Sequence, residues 1–205
     1  GFQKTIILNK ALLKSNGNYI VFTDGDCIPR SDFLETHNKF KQNGFFLSGG
    51  YFKLNEYLSK LINIEDISSE NCFKYNWLKE KGLVNSIKNL KILSNDTLAK
   101  ILNIITTTRP SWNGHNSSGW RKDIFSVNGF DERMKYGGED RELGERLINF
   151  GIRPKQIRYS AICLHLYHER GYVNENSWNQ NNRIRSETRI QKLEWTNYGL
   201  VKDKN

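Results

Sequence analysis

A short apolar run that stops at two aspartates most constrains the fold of this chain. The run Tyr19-Ile20-Val21-Phe22 has the length of a strand, and after Thr23 it gives way to Asp24-Gly25-Asp26. Its β-branched and aromatic residues are typical of a strand covered on both faces, as in a parallel sheet. Open α/β sheets bind their ligands at the carboxyl ends of the strands. The sequence therefore predicts an α/β fold with a ligand site directly after this strand.

Helical spacing on both sides of this strand supports the α/β class. Apolar residues three and four positions apart predict a helix over residues 4–14 and another that begins after Ser31 or Asp32 as its N-cap and ends at Gly44. A second strand is expected at 45–47. The pattern therefore predicts a mixed sheet flanked by helices.

The second half of the chain carries further patterns with less regular boundaries. A helix is expected from Glu139, with Glu142 and Arg146 as an i,i+4 ion pair. The remaining expectations are helices of uncertain bounds within 54–108, a short helix over 121–127, a strand over 157–167 and a helix around 183–193.

Length and composition exclude several classes of protein. The 205 residues, 37% of them hydrophobic, have the size of one ordinary domain. No apolar stretch approaches the ~18 residues of a membrane span, and the first residues lack the pattern of a signal peptide. We therefore expect a cytoplasmic protein with its three cysteines reduced. A catalytic domain is expected over 1–170, with a basic extension over 171–205 packed on it.

The charge balance favours an anionic partner. The chain has 31 basic and 22 acidic residues, a net charge of +9. Nucleic acid, acidic lipid headgroups at the inner membrane face and a phosphorylated substrate would all fit this charge. The basic residues are spread along the chain and form no nucleic-acid-binding motif, so we expect no nucleic-acid partner.

The loop Asp24-Gly25-Asp26 has the residue types of a divalent-cation site. Two carboxylates at positions i and i+2 can point the same way, and the glycine between them lets a ligand approach the backbone. Hard oxygen ligands with open positions suit Mg²⁺ or Mn²⁺ bridging a diphosphate. A solvated turn is the alternative, since Asp and Gly are common in turns.

The run Tyr136-Gly137-Gly138-Glu139-Asp140 opens the predicted second-half helix. The helix dipole and free N–H groups favour an ionised carboxylate there. Such a carboxylate could act as general base towards a hydroxyl group. The alternative is a helix N-terminus with acidic caps, although capping alone calls for neither two glycines nor a tyrosine.

The run Cys163-Leu164-His165-Leu166-Tyr167-His168 holds further candidate metal ligands. In a strand, Cys163 and His165 share a face, and His168 falls on the opposite face unless the strand ends first. A single imidazole completing a carboxylate metal site, a core histidine and a structural zinc site all remain open, although zinc usually needs a second cluster.

In this order, the segments resemble those of the inverting GT-A glycosyltransferases. The residues from Leu8 to Asp26 resemble the approach to that superfamily's DXD motif, and 114–132 is similar to its acceptor-side segment. The run 136–140, followed by Arg146-Leu147, resembles the Gly-Trp-Gly-Gly-Glu-Asp signature of β-1,4-galactosyltransferases and chondroitin-polymerase-like enzymes. The resemblance covers about residues 4–170. Its relatives begin with a strand and a Rossmann-like half that holds the uridine, so it implies a GT-A fold truncated at its N-terminus.

The resemblance also implies roles for individual residues. Asp140 would be the catalytic base. The implied acceptor-binding residues are Tyr136, Gly138 and Glu139; the implied donor-binding residues are Asn9, Asp24, Gly25 and Asp26; and the implied ligands of Mn²⁺ or Mg²⁺ are Asp24, Asp26 and His165 or His168. Tyr136 stands where relatives carry Trp, which implies a weaker stacking surface for the acceptor sugar.

The expected function is a metal-dependent inverting glycosyltransferase. It would move a sugar from a UDP-sugar to a hydroxyl group of a glycan or lipid-linked acceptor, in surface polysaccharide synthesis. The alternative is a nucleotide-sugar or carbohydrate-binding module that has lost catalysis.

Overall fold

The computed structural model describes residues 3–169 and 174–202, which form a mixed α/β structure. In its first half the elements are α1 (Lys4–Lys14), β1 (Tyr19–Phe22), β2 (Cys27–Pro29), α2 (Phe33–Phe40), β3 (Phe45–Ser48) and β4 (Phe52–Lys53). Short helices follow: α3 (Glu56–Leu61), α4 (Ile64–Ser68), α5 (Tyr75–Glu80), α6 (Leu90–Leu93) and α7 (Asp96–Ile105). The last elements are β5 (Ser117–Trp120), α8 (Arg121–Ser126), α9 (Glu139–Asn149), β6 (Arg153–Gln156), β7 (Cys163–His165) and α10 (Glu175–Ile190).

Two mixed sheets organise these elements. The first has strand order β1-β5-β3-β6, with antiparallel pairs except for the parallel pair β3–β6. The second has the order β2-β7-β4, antiparallel between β2 and β7 and parallel between β7 and β4. The expected mixed sheet flanked by helices is therefore confirmed.

The placement of β1 differs from the expectation. This strand lies at the edge of its sheet and pairs antiparallel with β5, Tyr19 opposite Trp120 and Phe22 opposite Ser117. The expectation that this strand belongs to a parallel sheet was wrong. An apolar run indicates that both faces of a strand are covered, but it does not indicate whether the adjacent strand runs parallel or antiparallel. Helices cover the strand: Phe22 packs in one core cluster with Leu12 of α1 and Leu143 of α9.

Two further cores hold the outer parts of the chain. One cluster joins Leu164 of β7 to Leu58 of α3 and Leu78 of α5, so the helical segment after β4 is anchored on the second sheet. A smaller cluster packs Phe33 against Leu47 and Cys163. Residues within 54–58 and 83–91 of the segment between β4 and β5 line the same cleft as the two acidic loops, and we call them the helical wall.

The expected strand over 157–167 is shorter in the structure. Only 163–165 form a strand, β7 of the second sheet, while β6 at 153–156 lies before the expected range and a turn separates the two strands. Ile157 and Ala161 are buried outside any strand, which explains why the apolar pattern began too early. The strand ends at His165, and this lets His168 return to the same side of the sheet edge.

The C-terminal helix begins earlier than the expected range around 183–193. α10 begins at Glu175 and packs along α9, where the Arg185 guanidinium pairs with the Glu145 carboxylate at 2.6 Å. The expected boundary at 170/171 lies outside the described residues. Among the described helices, none is long and apolar enough to cross a membrane.

Candidate active site

A cleft of about 1560 Å³ opens beside the two acidic loops. Its lining includes Asp24, Gly25 and Asp26 from the loop after β1, together with residues 136–141 at the start of α9. The helical wall between β4 and β5 supplies the opposite side. The two acid-bearing segments that the sequence singled out therefore face one cleft.

Lys4, at the start of α1, joins these loops. Its ammonium nitrogen lies 3.1 Å from Asp24 Oδ1, 3.3 Å from Asp140 Oδ2 and 3.5 Å from Glu139 Oε1. One cation thus offsets the mutual repulsion of three carboxylates, which fixes the relative position of segments that are more than a hundred residues apart.

Asp140 has the environment of a tuned acid–base group. Burial raises the pKa of its carboxyl group to about 6, with the negative charges of Glu139 and Asp24 adding to the rise and Lys4 opposing it. Its Oδ1 atom is buried and has no hydrogen-bond partner among the described residues. A carboxylate of this kind is ionised at neutral pH yet basic enough to accept a proton from a hydroxyl group.

Glu139 is held more firmly than its neighbour. Its side chain is buried, Oε2 accepts a hydrogen bond from the Gly137 N–H at 2.9 Å, and Oε1 faces Lys4. The carboxylate therefore closes the glycine turn as well as lining the cleft.

The two glycines before α9 are explained by backbone conformation and close contact. Gly137 and Gly138 have φ values of 115° and 89°, the left-handed region that side chains disfavour. A Cβ on Gly137 would lie 2.8 Å from the indole of Trp178, and one on Gly138 would lie 3.0 Å from Arg185 Cδ. The C-terminal helix α10 therefore braces the turn that presents Glu139 and Asp140.

Asp26 lies close to two imidazole rings, those of His165 and His168. Its Oδ2 atom is 3.0 Å from His168 Nε2 and 3.7 Å from His165 Nε2. Nδ1 of His165 donates to the Leu166 carbonyl at 2.8 Å, because that oxygen can only accept, and Nδ1 of His168 likewise contacts the Glu169 carbonyl at 3.0 Å. With Nδ1 of each ring turned to a backbone carbonyl, Nε2 is the ring atom that faces Asp26.

These three side chains fit a divalent cation. Metal-bound histidines usually donate their second ring N–H to a carbonyl or carboxylate, and both rings here do so. Asp26, Cys27 and His165 have ligand atoms within 4.8 Å of one another. A hydrogen bond with Cys163 and burial raise the pKa of the Cys27 thiol above its usual range, so imidazole and carboxylate are the better ligands.

Asn9 does not belong to the cleft, contrary to the expectation of a donor-binding role. The residue is buried, its Nδ2 donates to the Phe130 carbonyl at 2.8 Å, and its Oδ1 accepts from the Phe130 N–H at 2.8 Å. Both ends of the amide bind the loop before α9. Asn9 therefore ties α1 to that loop.

Sequence reasoning missed two cleft residues. Lys4 begins an ordinary amphipathic helix, and no local pattern distinguishes it from the other lysines of the chain. Tyr51 follows Gly49-Gly50, and its ring centroid lies 4.7 Å from that of His115 and 5.1 Å from that of His165. The glycine pair was the only signal, and it indicated a strand end.

Two solved structures resemble the chain at low identity. One is the mannosyltransferase PcManGT from Pyrobaculum calidifontis in complex with GDP-Man and Mn²⁺, with 18% identity, a TM-score of 0.45 and coverage of 92% of this chain and 41% of that one. The other is glucosyl-3-phosphoglycerate synthase from Mycobacterium tuberculosis in complex with phosphoglyceric acid, with 12% identity, a TM-score of 0.45 and coverage of 92% and 54%. This chain thus spans about half or less of each. No curated protein matches it in sequence.

The family comparison is more informative about the site. Residues 108–169 match the family model described as the N-terminal domain of galactosyltransferase. This range contains the glycine turn, Glu139, Asp140, His165 and His168. The resemblance to glycosyltransferases is therefore confirmed over residues 108–169, the segment that supplies one of the two acidic loops and both histidines of the site.

Proposed function

We propose that this chain is a metal-dependent inverting glycosyltransferase. It would transfer a sugar from a nucleoside-diphosphate donor, a UDP-sugar in the first instance, to a hydroxyl group of a glycan or lipid-linked acceptor. Surface polysaccharide synthesis is the process in which such a transfer fits best. The family match over residues 108–169 supports the reaction class.

One observation carries the proposal. Asp24 and Asp140, from two loops that line the same cleft, lie within 3.3 Å of the same Lys4 ammonium group. A candidate cation site and a candidate base are therefore brought to one cleft, as a reaction between two substrates requires.

The cation site is formed by Asp26, His165 and His168, with Asp24 beside it. When bound there, Mn²⁺ or Mg²⁺ would supply positive charge to neutralise the departing diphosphate. Apart from its chain neighbours, none of the described residues has an atom within 4 Å of the position that a Cβ on Gly25 would occupy, so the loop leaves room for the donor.

The base on the acceptor side is Asp140. Its carboxylate accepts the proton of the acceptor hydroxyl group as that oxygen attacks the anomeric carbon. The bond from the anomeric carbon to the phosphate oxygen breaks, and the nucleoside diphosphate leaves with the bonding pair. Attack opposite the leaving group inverts the anomeric configuration. Glu139 and Tyr136 line the same part of the cleft and would contact the acceptor sugar.

The proposal can be tested by nucleotide release. The purified chain, with Mn²⁺, is incubated with UDP-sugars and GDP-mannose, and the released nucleoside diphosphate is measured. We expect release with at least one donor and a loss on the order of 100- to 10,000-fold in Asp140→Asn. Asp96→Asn, an exposed change on α7, is the matched control and should retain full activity.

Two results would contradict the enzyme proposal. Binding of UDP or GDP with Mn²⁺ but no release from any donor, with or without acceptors, would instead support the non-catalytic binding module. Undiminished turnover in Asp140→Asn would remove Asp140 as the base.

A further inference from the structure

Besides Lys4, the cations that line the cleft include three that have no acidic partner among the described residues. Lys88 and Lys91 come from the helical wall, Lys88 from the turn before α6 and Lys91 from α6 itself, and Arg158 follows β6. We call these three residues the cationic cluster. Within the described ranges 3–169 and 174–202, none of the three forms an ion pair.

The acidic residues of the cleft are paired elsewhere. Glu56 pairs with Lys60 and Glu145 pairs with Arg185, each at 2.6 Å. Lys4 faces the acids of the two loops, and Asp26 faces the histidines. The positive charge of the cationic cluster is therefore left for something that enters the cleft.

Two members of the cluster are fixed on the same short segment. Lys91 Nζ donates to the Tyr51 carbonyl at 2.6 Å and lies 5.7 Å from the centre of the Tyr51 ring. Arg158 packs against the preceding residue, Gly50, where a Cβ would lie 2.9 Å from Arg158 Cβ. Both side chains are thus anchored on the backbone that follows β3.

Their hydrogen-bonding capacity is only partly used. Arg158 Nη1 donates to Thr108 Oγ1 at 2.8 Å, while its Nε atom is buried and has no hydrogen-bond partner among the described residues. Burial lowers the pKa of Lys91 to about 8, and the positive charges of Arg158 and Lys88 contribute to the decrease. Like charges gathered at a partly buried site are unfavourable until an anion binds there.

We infer that Lys88, Lys91 and Arg158 form a subsite for a phosphate or carboxylate group of the acceptor substrate. This inference rests on the proposed function, because it assigns the cluster to the second substrate of the transfer. The guanidinium and ammonium groups suit an oxyanion, which accepts charge-assisted hydrogen bonds from both.

The cluster is assigned to the acceptor because a cation bound by Asp26, His165 and His168 would already supply countercharge for the donor diphosphate. Tyr51 contacts both regions: its ring lies 5.1 Å from the ring of His165 and beneath Lys91. In the described part of the chain, no ion pair joins the cluster to Asp24 or Asp26. The diphosphate of the donor has its countercharge at the Asp26 site, so the cluster is available for an acidic acceptor.

Binding of small anions in the absence of divalent cations tests the subsite. The probes are inorganic phosphate and methyl glucuronoside, with methyl glucoside as the neutral match, titrated by NMR in the presence of a chelator. We expect the two anions to bind more tightly than the neutral sugar. The Lys91→Gln/Arg158→Gln variant should lose at least tenfold in affinity for both anions.

Further variants separate charge from packing. Lys88 is exposed, so Lys88→Gln should fold normally and still weaken anion binding severalfold. Arg158→Lys keeps the charge and should retain most of the affinity. The control Lys10→Gln/Lys122→Gln removes two exposed charges outside the cleft and should bind the anions as the unaltered chain does.

Measuring nucleotide affinity shows whether the cluster binds the donor or the acceptor. Affinity for UDP and GDP with Mn²⁺ is measured by calorimetry and should change less than twofold in the double variant. A parallel loss of nucleotide binding would assign the cluster to the diphosphate and overturn the inference, as would anion binding that all the variants retain. If nucleotides fail to bind even the unaltered chain while the anion effects persist, the proposed donor use fails and the anion subsite stands.

Discussion

Lys4 Nζ lies 3.3 Å from Asp140 Oδ2, although 136 positions separate the two residues in the chain. The same nitrogen lies 3.1 Å from Asp24 Oδ1. Helix α1 therefore holds together the two acidic loops on which the proposed chemistry depends.

Replacing Lys4 should impair the base more than the fold. In Lys4→Met, the positive charge that lowers the Asp140 pKa is lost, so that pKa rises further and less carboxylate is ionised at neutral pH. We expect an alkaline shift of the pH profile by about one unit, which means about a twofold loss of transferase activity at pH 7 and close to a tenfold loss below about pH 5. Lys4→Arg should restore most of the activity. Equal activity of Lys4→Met and the exposed control Lys10→Met would contradict the role of this contact.

The pH dependence of the unaltered chain follows from the same carboxyl group. The pKa of Asp140 is raised to about 6, and the proposed base is active only when ionised. Activity should therefore increase with pH through about 6 and be lost below it. A bound divalent cation adds positive charge, which moves this acidic limb of the pH–activity profile to lower pH. The measurement is kcat/KM against pH; a limb that is unaltered in Lys4→Met would exclude Asp140 as its source.

Asp140→Asn should stabilise the folded chain at neutral pH. A carboxyl group whose pKa is higher in the folded than in the unfolded state disfavours folding once it ionises. For Asp140 this cost is absent below the ordinary pKa of about 4 and is complete above about pH 6. The thermal midpoint of Asp140→Asn should thus exceed that of the unaltered chain at pH 7.5 and match it at pH 4. A lower midpoint at pH 7.5, with Asp96→Asn unchanged, would show that the ion pair with Lys4 outweighs burial.

Removing either imidazole should weaken cation binding. His168→Ala and His165→Ala each delete a nitrogen directed at Asp26, and we expect Mn²⁺ affinity to fall by on the order of 10- to 100-fold. Cys27→Ser is the matched control, because the neutral thiol is a poor ligand and its loss should matter little. Titration of Mn²⁺ by electron paramagnetic resonance gives the affinities. A larger loss in Cys27→Ser than in the histidine variants would mean that the thiol is a ligand.

Local patterns predicted the elements well where short-range contacts decide the structure. The predicted helix over 4–14 is confirmed, as is the helix from Glu139 with its Glu142–Arg146 pair, since spacing along one helix sets both. Both acidic loops were found because acidic residues and glycines cluster at the boundaries of elements, at the end of β1 and at the start of α9. Partners that lie far apart in sequence could not be predicted: the antiparallel neighbour of β1, the burial of Asn9 against Phe130 and the reach of Lys4 all depend on how the elements pack.

Gly137→Ala tests whether the turn before α9 is held by its backbone or by its contact with α10. A methyl group there adds the strain of a φ of 115° and a contact of 2.8 Å with Trp178, so we expect a loss of about 1–3 kcal/mol in the free energy of unfolding together with reduced activity. Gly82→Ala is the matched control, since its φ is 95° and a Cβ there meets no atom of the described residues within 4 Å, chain neighbours aside. Denaturant unfolding compares the two.

Only Gly137→Ala displaces Trp178 and with it the loop that carries Asp140. We therefore expect only this variant to lose activity beyond its loss of stability. The double variant Gly137→Ala/Trp178→Ala should recover part of the stability. Equal destabilisation of the two single variants with unchanged activity would mean that α10 does not position the catalytic turn.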